Sequence, residues 1–370
     1  MLTKIKGLKE LLGEVIETGL CAVCGACIGD CPYLVFYKGK IRMLDFCTRS
    51  EGHCYGYCPR TYVDMDRLSK GLFSVPFTGS EIGVVKDVFM ARSKDARTRS
   101  RAQYGGTVST LLSVALDEVV IQKALLAKTT EEKLPVGFTA STHAEALQGG
   151  GSNYMAYPAI EALNRMPRES KDKLGIVTTP CQALALAKMR LAPPEQRADM
   201  ANLKLVIGLF CTWALSYDRF YNFLKENLDL PHVKKFDIPP PPANRFDVFI
   251  GKEVKSYPLD EIRNYRMPTC AYCLDMTAEF ADVSVGAVEG IEGWNTVIVR
   301  TQRGAEIVDL ARKAGKLQID PLPAQNLSHL KKASLLKKTR SMKDIVKKTG
   351  DKNNLLYLGM PDDVRDKLLS

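Results

Sequence analysis

The chain has 370 residues, 45% hydrophobic and 25% charged, with a formal net charge of +10. That is an ordinary globular composition with room for two or three domains and a large core; it excludes a disordered or fibrous chain. The basic excess is local, in residues 92–101 and 331–348, and comes with no nucleic-acid-binding motif, so nucleic acid is not the expected partner.

In chain order, residues 1–17 (MLTKIKGLKELLGEVIE) set lysines and acids against apolar positions at helical spacing. This is an amphipathic helix, neither a signal peptide nor an anchor, and no apolar run in the chain is long enough to span a bilayer. Eleven cysteines without an export signal predict a cytoplasmic location, where thiols serve metals or redox chemistry instead of disulfides. The first four, Cys21, Cys24, Cys27 and Cys31-Pro32, form an uninterrupted C-x2-C-x2-C-x3-C-P run. Bacterial-type ferredoxins hold a [4Fe-4S] cluster with that spacing. The small residues between them let the loop wrap closely. Zinc sites normally separate their C-x2-C pairs further and lack the third cysteine and the C-P.

After a hairpin-like stretch at 34–44 comes a degraded second motif: Cys47, Cys54 and Cys58-Pro59, with Glu51 near the place of the missing cysteine. By the cross-over rule of two-cluster ferredoxins, Cys58 completes the set of Cys21, Cys24 and Cys27. Cys31, Cys47 and Cys54 remain. They either hold a second cluster, with Glu51 or His53 as fourth ligand, or are structural. Residues 1–85 are thus expected to form a small ferredoxin-like (α+β) iron–sulfur domain.

From Asp87 the pattern turns to α/β, with apolar β-branched runs and helical segments alternating through 108–121, 175–179 and 203–210. The four prolines at 239–242 read as an extended spacer between lobes. Strands are expected at 282–285 and 296–301. The last part, 321–370, reads as a basic, helical and peripheral tail: residues 331–348 hold eight Lys/Arg against one Asp. Cys181 follows a strand and opens a helix, and Cys211 ends another strand. In a parallel sheet both fall on the rim where ligands bind, within reach of the Cys270-x2-Cys273 loop. Spacing alone leaves open a third [4Fe-4S] cluster, a zinc site, or core cysteines beside a redox-active disulfide.

Two glycine-rich segments lead into helices, Gln103-Tyr104-Gly105-Gly106-Thr107 and Gly149-Gly150-Gly151-Ser152-Asn153-Tyr154; such loops bind phosphates through free backbone N–H groups or are simply turns. Taken with Thr179-Pro180-Cys181-Gln182, Gly208-Leu209-Phe210-Cys211, Cys270-x2-Cys273-x-Asp275, Ala281-Asp282-Val283-Ser284-Val285-Gly286, Gly293-Trp294 and Val299-Arg300-Thr301, they resemble the beta subunit of coenzyme F420-reducing hydrogenases and dehydrogenases. The resemblance runs from about residue 86 to 320. It implies an α/β flavoprotein domain there that binds FAD and exchanges hydride with F420, and a cluster on Cys181, Cys211, Cys270 and Cys273. Gln103, Tyr104, Gly105, Gly106, Thr107, Gly151, Ser152, Asn153, Tyr154, Thr179 and Pro180 would face the flavin. Thr179 departs from the family, where glycine is common. Family partners include hydrogenase, formate dehydrogenase and sulfite reductase subunits, which implies a hetero-oligomeric complex; one branch acts on chlorophyll derivatives. The alternative role is an adaptor that passes electrons between ferredoxin and a larger redox complex without F420 activity. A basic loop of Arg92, Lys94, Arg97, Arg99 and Arg101 is either a solvated face or an attractor for the polyanionic F420. Trp213 and Trp294 are expected to pack, and Asp275 and Asp282 to fix loops.

Overall fold

The computed structural model describes residues 5–191, 198–240 and 243–370. The chain begins with a helix at Leu8–Leu11 that widens into a π-helical turn over Leu12–Ile16, with Leu8, Leu11 and Val15 buried. The first four residues of the expected helix lie outside the described residues. Strands β1 (Leu34–Tyr37) and β2 (Lys40–Met43) then form an antiparallel hairpin. A short strand, β3 (Val63–Asp64), leads into the helix Met65–Phe73, capped by the Asp64 side chain.

The remainder is built on one large mixed sheet. Its first strands are β4 (Asp87–Ser93), β5 (Lys123–Thr129), β6 (Pro135–Ala140), β7 (Leu174–Thr178) and β8 (Leu203–Leu209). A separate three-stranded antiparallel sheet follows: β9 (Val233–Asp237), β10 (Arg245–Ile250) and β11 (Glu253–Pro258). The large sheet then resumes with β12 (Val283–Ala287), β13 (Asn295–Val299) and β14 (Leu317–Asp320). Its eight strands lie in the order β14-β4-β13-β12-β8-β7-β5-β6. β5, β7, β8 and β12 pair in parallel, whereas β13 runs antiparallel between β12 and β4. The central strands are buried on both faces, which is why they read as continuous apolar runs. The helices Thr107–Asp117 and Gln302–Lys313 cover one face. Pro180–Leu191 covers the other, and residues of 1–85 and of the C-terminal helix pack over it.

Two expectations are corrected. Within the proline run, residues 241–242 lie outside the described residues, but the strands on either side, β9 and β10, pair with each other. The run therefore closes a connection inside one small sheet and does not space two lobes. The C-terminal segment is not peripheral either. The helix Ala324–Thr349 buries Ser334, Lys337, Lys338, Ser341, Met342 and Ile345, a stripe at three- and four-residue spacing. Beyond it, β15 (Leu358–Gly359) pairs in parallel with β3, so the last residues close onto the N-terminal part of the chain. Counted as charges, Lys337 and Lys338 had disguised that stripe as a solvated face.

Candidate functional site

Because β7 and β8 run in parallel, their carboxyl ends share one edge of the sheet. Thr179-Pro180-Cys181 follows β7, and Cys211 lies just beyond β8, its N–H bonded to the Met276 carbonyl at 2.8 Å. Cys270 and Cys273 come from the 3-10 turn Pro268–Tyr272 and the residue after it. These four thiols are brought together, close enough to act on one another's ionisation. Burial pushes Cys270 up to about 11 and raises Cys181 and Cys211, and the neighbouring thiols of the set add to each rise. Burial would also raise Cys273, but the Lys337 ammonium and the Arg60 guanidinium overcome it and hold that thiol below the ordinary range.

Cys21, Cys24, Cys27 and Cys58 form a second set. They line one hollow, walled by Leu11, Val15, Ile16 and Ile41. Burial pushes Cys21 up to about 12 and carries Cys24 and Cys27 well above the usual thiol range, with the other members adding. Gly25 has φ +91°, and a side chain there would lie 2.7 Å from the Glu161 backbone nitrogen, so only glycine lets the loop seat so closely. The loop is also held from outside. Asn164, buried, donates from Nδ2 to the carbonyls of Gly25, Ala26 and Ile28, and the Ile160 N–H donates to the Cys24 carbonyl.

Cys31, Cys47 and Cys54 form the third set. Burial raises Cys54 to about 12, and Cys31 and Cys47 add to it. Of the two candidate fourth ligands, Glu51 is exposed, and His53 contacts Asp30 through Nδ1 at 2.9 Å. The sets are neighbours: Cys54 acts on Cys27 in the second, and Cys181 of the rim acts on Cys21 and Cys24.

Among the described residues, no group of three or more His, Cys, Asp or Glu side chains gathers for a single metal ion. An iron–sulfur cube asks for something else, thiolates at its corners and not around one centre. The donor chemistry suits such a group: all eleven cysteines are free thiols, and backbone N–H groups approach sulfur at Cys21, Cys58 and Cys270, each at 3.4 Å. Buried cations support it further. Arg60, Lys188 and Lys337 are 3%, 9% and 4% exposed, yet the hydrogen bonds of their side chains run to carbonyls and hydroxyls and not to carboxylates. Burial pulls Lys188 down to about 8 against the opposing thiolates of Cys58 and Cys24. A buried cation needs a counter-charge, and anionic groups on the thiol sets would provide it. Sequence reasoning missed Arg60, Asn164, Lys188 and Lys337. Only Arg60, two residues after Cys58, carried a signal.

The glycine segments meet at the same sheet edge. A side chain on Gly105 would lie 2.8 Å from Asn295 Oδ1 and 3.0 Å from the Ala91 carbonyl, and Gly106 sits at the N-terminus of the helix Thr107–Asp117. Thr107 donates its N–H to Asn295 Oδ1 and its hydroxyl to the Ala91 carbonyl. Gln103 joins the two loops: its Oε1 accepts from the Ser152 N–H at 3.3 Å, and its amide donates to Asp237 on β9. Tyr154 accepts at its hydroxyl from the Ile238 N–H, and the Asn153 amide donates to Thr129 Oγ1 at 3.4 Å. Gly151 has open space around its Cα. Thr179 and Pro180 immediately precede Cys181 at the end of β7, with Thr179 Oγ1 3.4 Å from the Cys181 sulfur. The basic stretch is not a loop: Arg92 lies in β4, where it stacks on Trp294, and Ala96–Arg101 is a short helix whose Arg99 donates to the carbonyls of Ser93 and Lys94, while Lys94, Arg97 and Arg101 are exposed. Asp275 accepts from the N–H groups of Thr277 and Glu279, and buried Asp282 from the Val206 N–H, so both fix backbone.

Residues 88–164 match the family described as coenzyme F420 hydrogenase/dehydrogenase, beta subunit N-term, and residues 171–325 match its C terminus. The chain is 34% identical to the coenzyme F420 hydrogenase subunit beta of Methanothermobacter thermautotrophicus over 71% of its own length and 95% of that subunit. It is 28% identical to the coenzyme F420-dependent sulfite reductase of Methanocaldococcus jannaschii, over 87% of this chain but 51% of that enzyme. Among solved structures, a chain of the F420-reducing [NiFe] hydrogenase complex from Methanosarcina barkeri superimposes with a TM-score of 0.68 at 28% identity, covering 76% of this chain and 97% of that one.

Proposed function

The chain belongs to the coenzyme F420 hydrogenase/dehydrogenase beta-subunit family, and on that premise we propose that it is the F420-linked subunit of a larger oxidoreductase. FAD supplies hydride exchange with F420 and, with [4Fe-4S] clusters, divides the electron pair into single electrons. The residues have separate tasks. Gly105 and Gly106 offer backbone at a helix N-terminus for the flavin's phosphates, and Thr107, its N–H held by Asn295, fixes the start of that helix. Gln103 ties that loop to Ser152. Gly151, Asn153, Tyr154, Thr179 and Pro180 complete the cradle. Cys181, Cys211, Cys270 and Cys273 hold the cluster nearest the flavin. Cys21, Cys24, Cys27 and Cys58 hold the next, and Cys31, Cys47 and Cys54 lie beyond it on the path to a partner. Lys94, Arg97 and Arg101 attract the anionic tail of F420.

The observation that carries this reading is the sorting of the thiols into three adjacent sets, the rim set at the same sheet edge as the glycine cradle. The test is anoxic purification, an absorbance spectrum with iron and acid-labile sulfide analysis, and addition of reduced F420. A brown protein whose flavin bleaches on that addition is expected. A colourless, zinc-containing and iron-free protein overturns the reading. Flavin that reduced ferredoxin bleaches and reduced F420 does not would remove F420 from it and leave an electron-transfer adaptor.

A further inference from the structure

Arg60 touches both of the inner thiol sets. It follows Cys58-Pro59, and its backbone N–H donates to the Cys58 sulfur at 3.4 Å. Its side chain leaves that set for the rim. Nε donates to Thr269 Oγ1 at 3.0 Å, Nη1 donates to the Tyr357 hydroxyl, and the guanidinium stands near enough to Cys273 to hold its thiol down. The anchors are themselves tied to the ligand loops. The Thr269 hydroxyl donates to the carbonyl of Leu20, the residue before Cys21, at 2.6 Å. The Tyr357 hydroxyl donates to the carbonyl of Tyr272, the residue before Cys273, at 2.7 Å, and its ring lies 4.6 Å under the guanidinium carbon. Arg60 is 3% exposed, and none of these partners is a carboxylate.

A guanidinium stays charged at any working pH, and burying one is costly unless anionic groups stand beside it. Two thiol sets that carry negative clusters meet that need from both sides. We infer that Arg60 couples the two iron–sulfur sites, its fixed charge raising the reduction potential of the rim site and its hydrogen bonds joining Cys58 to the loop that carries Cys270 and Cys273. Charge and hydrogen bonds at sulfur are recognised determinants of cluster potential. The transfer served is of one electron: one site is oxidised by one, the other reduced by one, and no bond forms and no proton moves. The effect is asymmetric. The guanidinium is anchored on the rim side, at Thr269 and Tyr357, whereas Cys58 is met by a backbone N–H that no side-chain substitution removes. Arg60 and Tyr357 both lie outside the matched family segments, residues 88–164 and 171–325. It is a positioning role, and it rests on the reading given under Proposed function.

The test is an EPR-monitored redox titration of the full chain with Arg60→Met, Arg60→Gln and Arg60→Lys, repeated in a Cys24→Ser background to isolate the rim signal. The two neutral variants should bind wild-type iron and flavin. Their rim midpoint should move to more negative potential by about tenfold in the equilibrium constant, about 59 mV for one electron. The N-terminal midpoint should move less, and the lysine variant should stay close to wild type. Neutral variants fully loaded with an unmoved rim midpoint overturn the inference. So does loss of iron from both neutral variants while the lysine variant loads, which would make the charge a folding requirement. Wild-type protein without iron defeats the prior functional reading instead, and the two failures are therefore distinct.

Discussion

At the residue scale, the cysteines were readable because metal-ligand spacing is a local property, written within a few positions of the chain. What holds the ligands in place is not local. Asn164 stands 136 to 139 residues from the carbonyls it binds, at 2.7 Å from Ile28 O and 3.2 Å from Gly25 O and Ala26 O. Nothing in its own neighbourhood marks it. Replacing Asn164 with Ala leaves three carbonyls without that donor in a buried site, at a cost of about 1–3 kcal/mol. The expected result is a lower thermal midpoint and loss of iron from the N-terminal set with flavin retained, checked by the iron-to-flavin ratio of anoxic protein. Cys24→Ser should give the same ratio change by removing a ligand directly. Flavin lost along with the iron in both variants would show that the two sites do not load separately.

At the element scale, the helix Ala324–Thr349 shows where charge counting fails. Its sequence is basic throughout, yet Lys338 is 1% exposed and paired with Glu279, itself buried. Burial raises the Glu279 carboxyl, and Lys338 opposes that rise. Lys338→Met alone leaves the buried Glu279 carboxylate with Arg300 as its remaining cation and is expected to cost about 3 kcal/mol. The double variant Lys338→Met with Glu279→Met replaces the pair by apolar volume and should recover part of that loss, since Arg300 then loses the Glu279 counter-charge. Urea unfolding of both variants checks the pattern; equal stability of single and double variants would locate the effect outside the pair. The central strands, by contrast, were legible from sequence, because a strand buried on both faces must be apolar throughout. The proline run was misread for a related reason. Proline excludes helix and central strand, but it does not say whether the segments on either side separate or, like β9 and β10, pair.

At the scale of the whole molecule, the two ends of the chain meet where the family segments do not reach. β15 pairs with β3, the Val63 N–H donates to the Tyr357 carbonyl at 2.7 Å, and the Tyr357 hydroxyl receives Arg60. Higher on the same C-terminal segment, Lys337 donates to the carbonyls of Cys211 and Asp275 at 2.8 and 2.7 Å, backing the rim set. Two successive truncations separate these contributions. A chain ending at Gly350 keeps the helix and Lys337 but loses β15 and Tyr357. It should retain rim iron and flavin while the N-terminal set, no longer latched by β15, loses iron. A chain ending at Pro323 also loses Lys337 and the buried stripe of the long helix. It should lose iron from both sets and bind a hydrophobic dye on the face left bare beside Pro180–Leu191. Iron, sulfide and flavin analysis of the two proteins decides it. Equal loss in both would mean that the C-terminal segment folds and acts as one piece. Full cofactor content in the shorter chain would make the segment the peripheral tail that its composition first suggested.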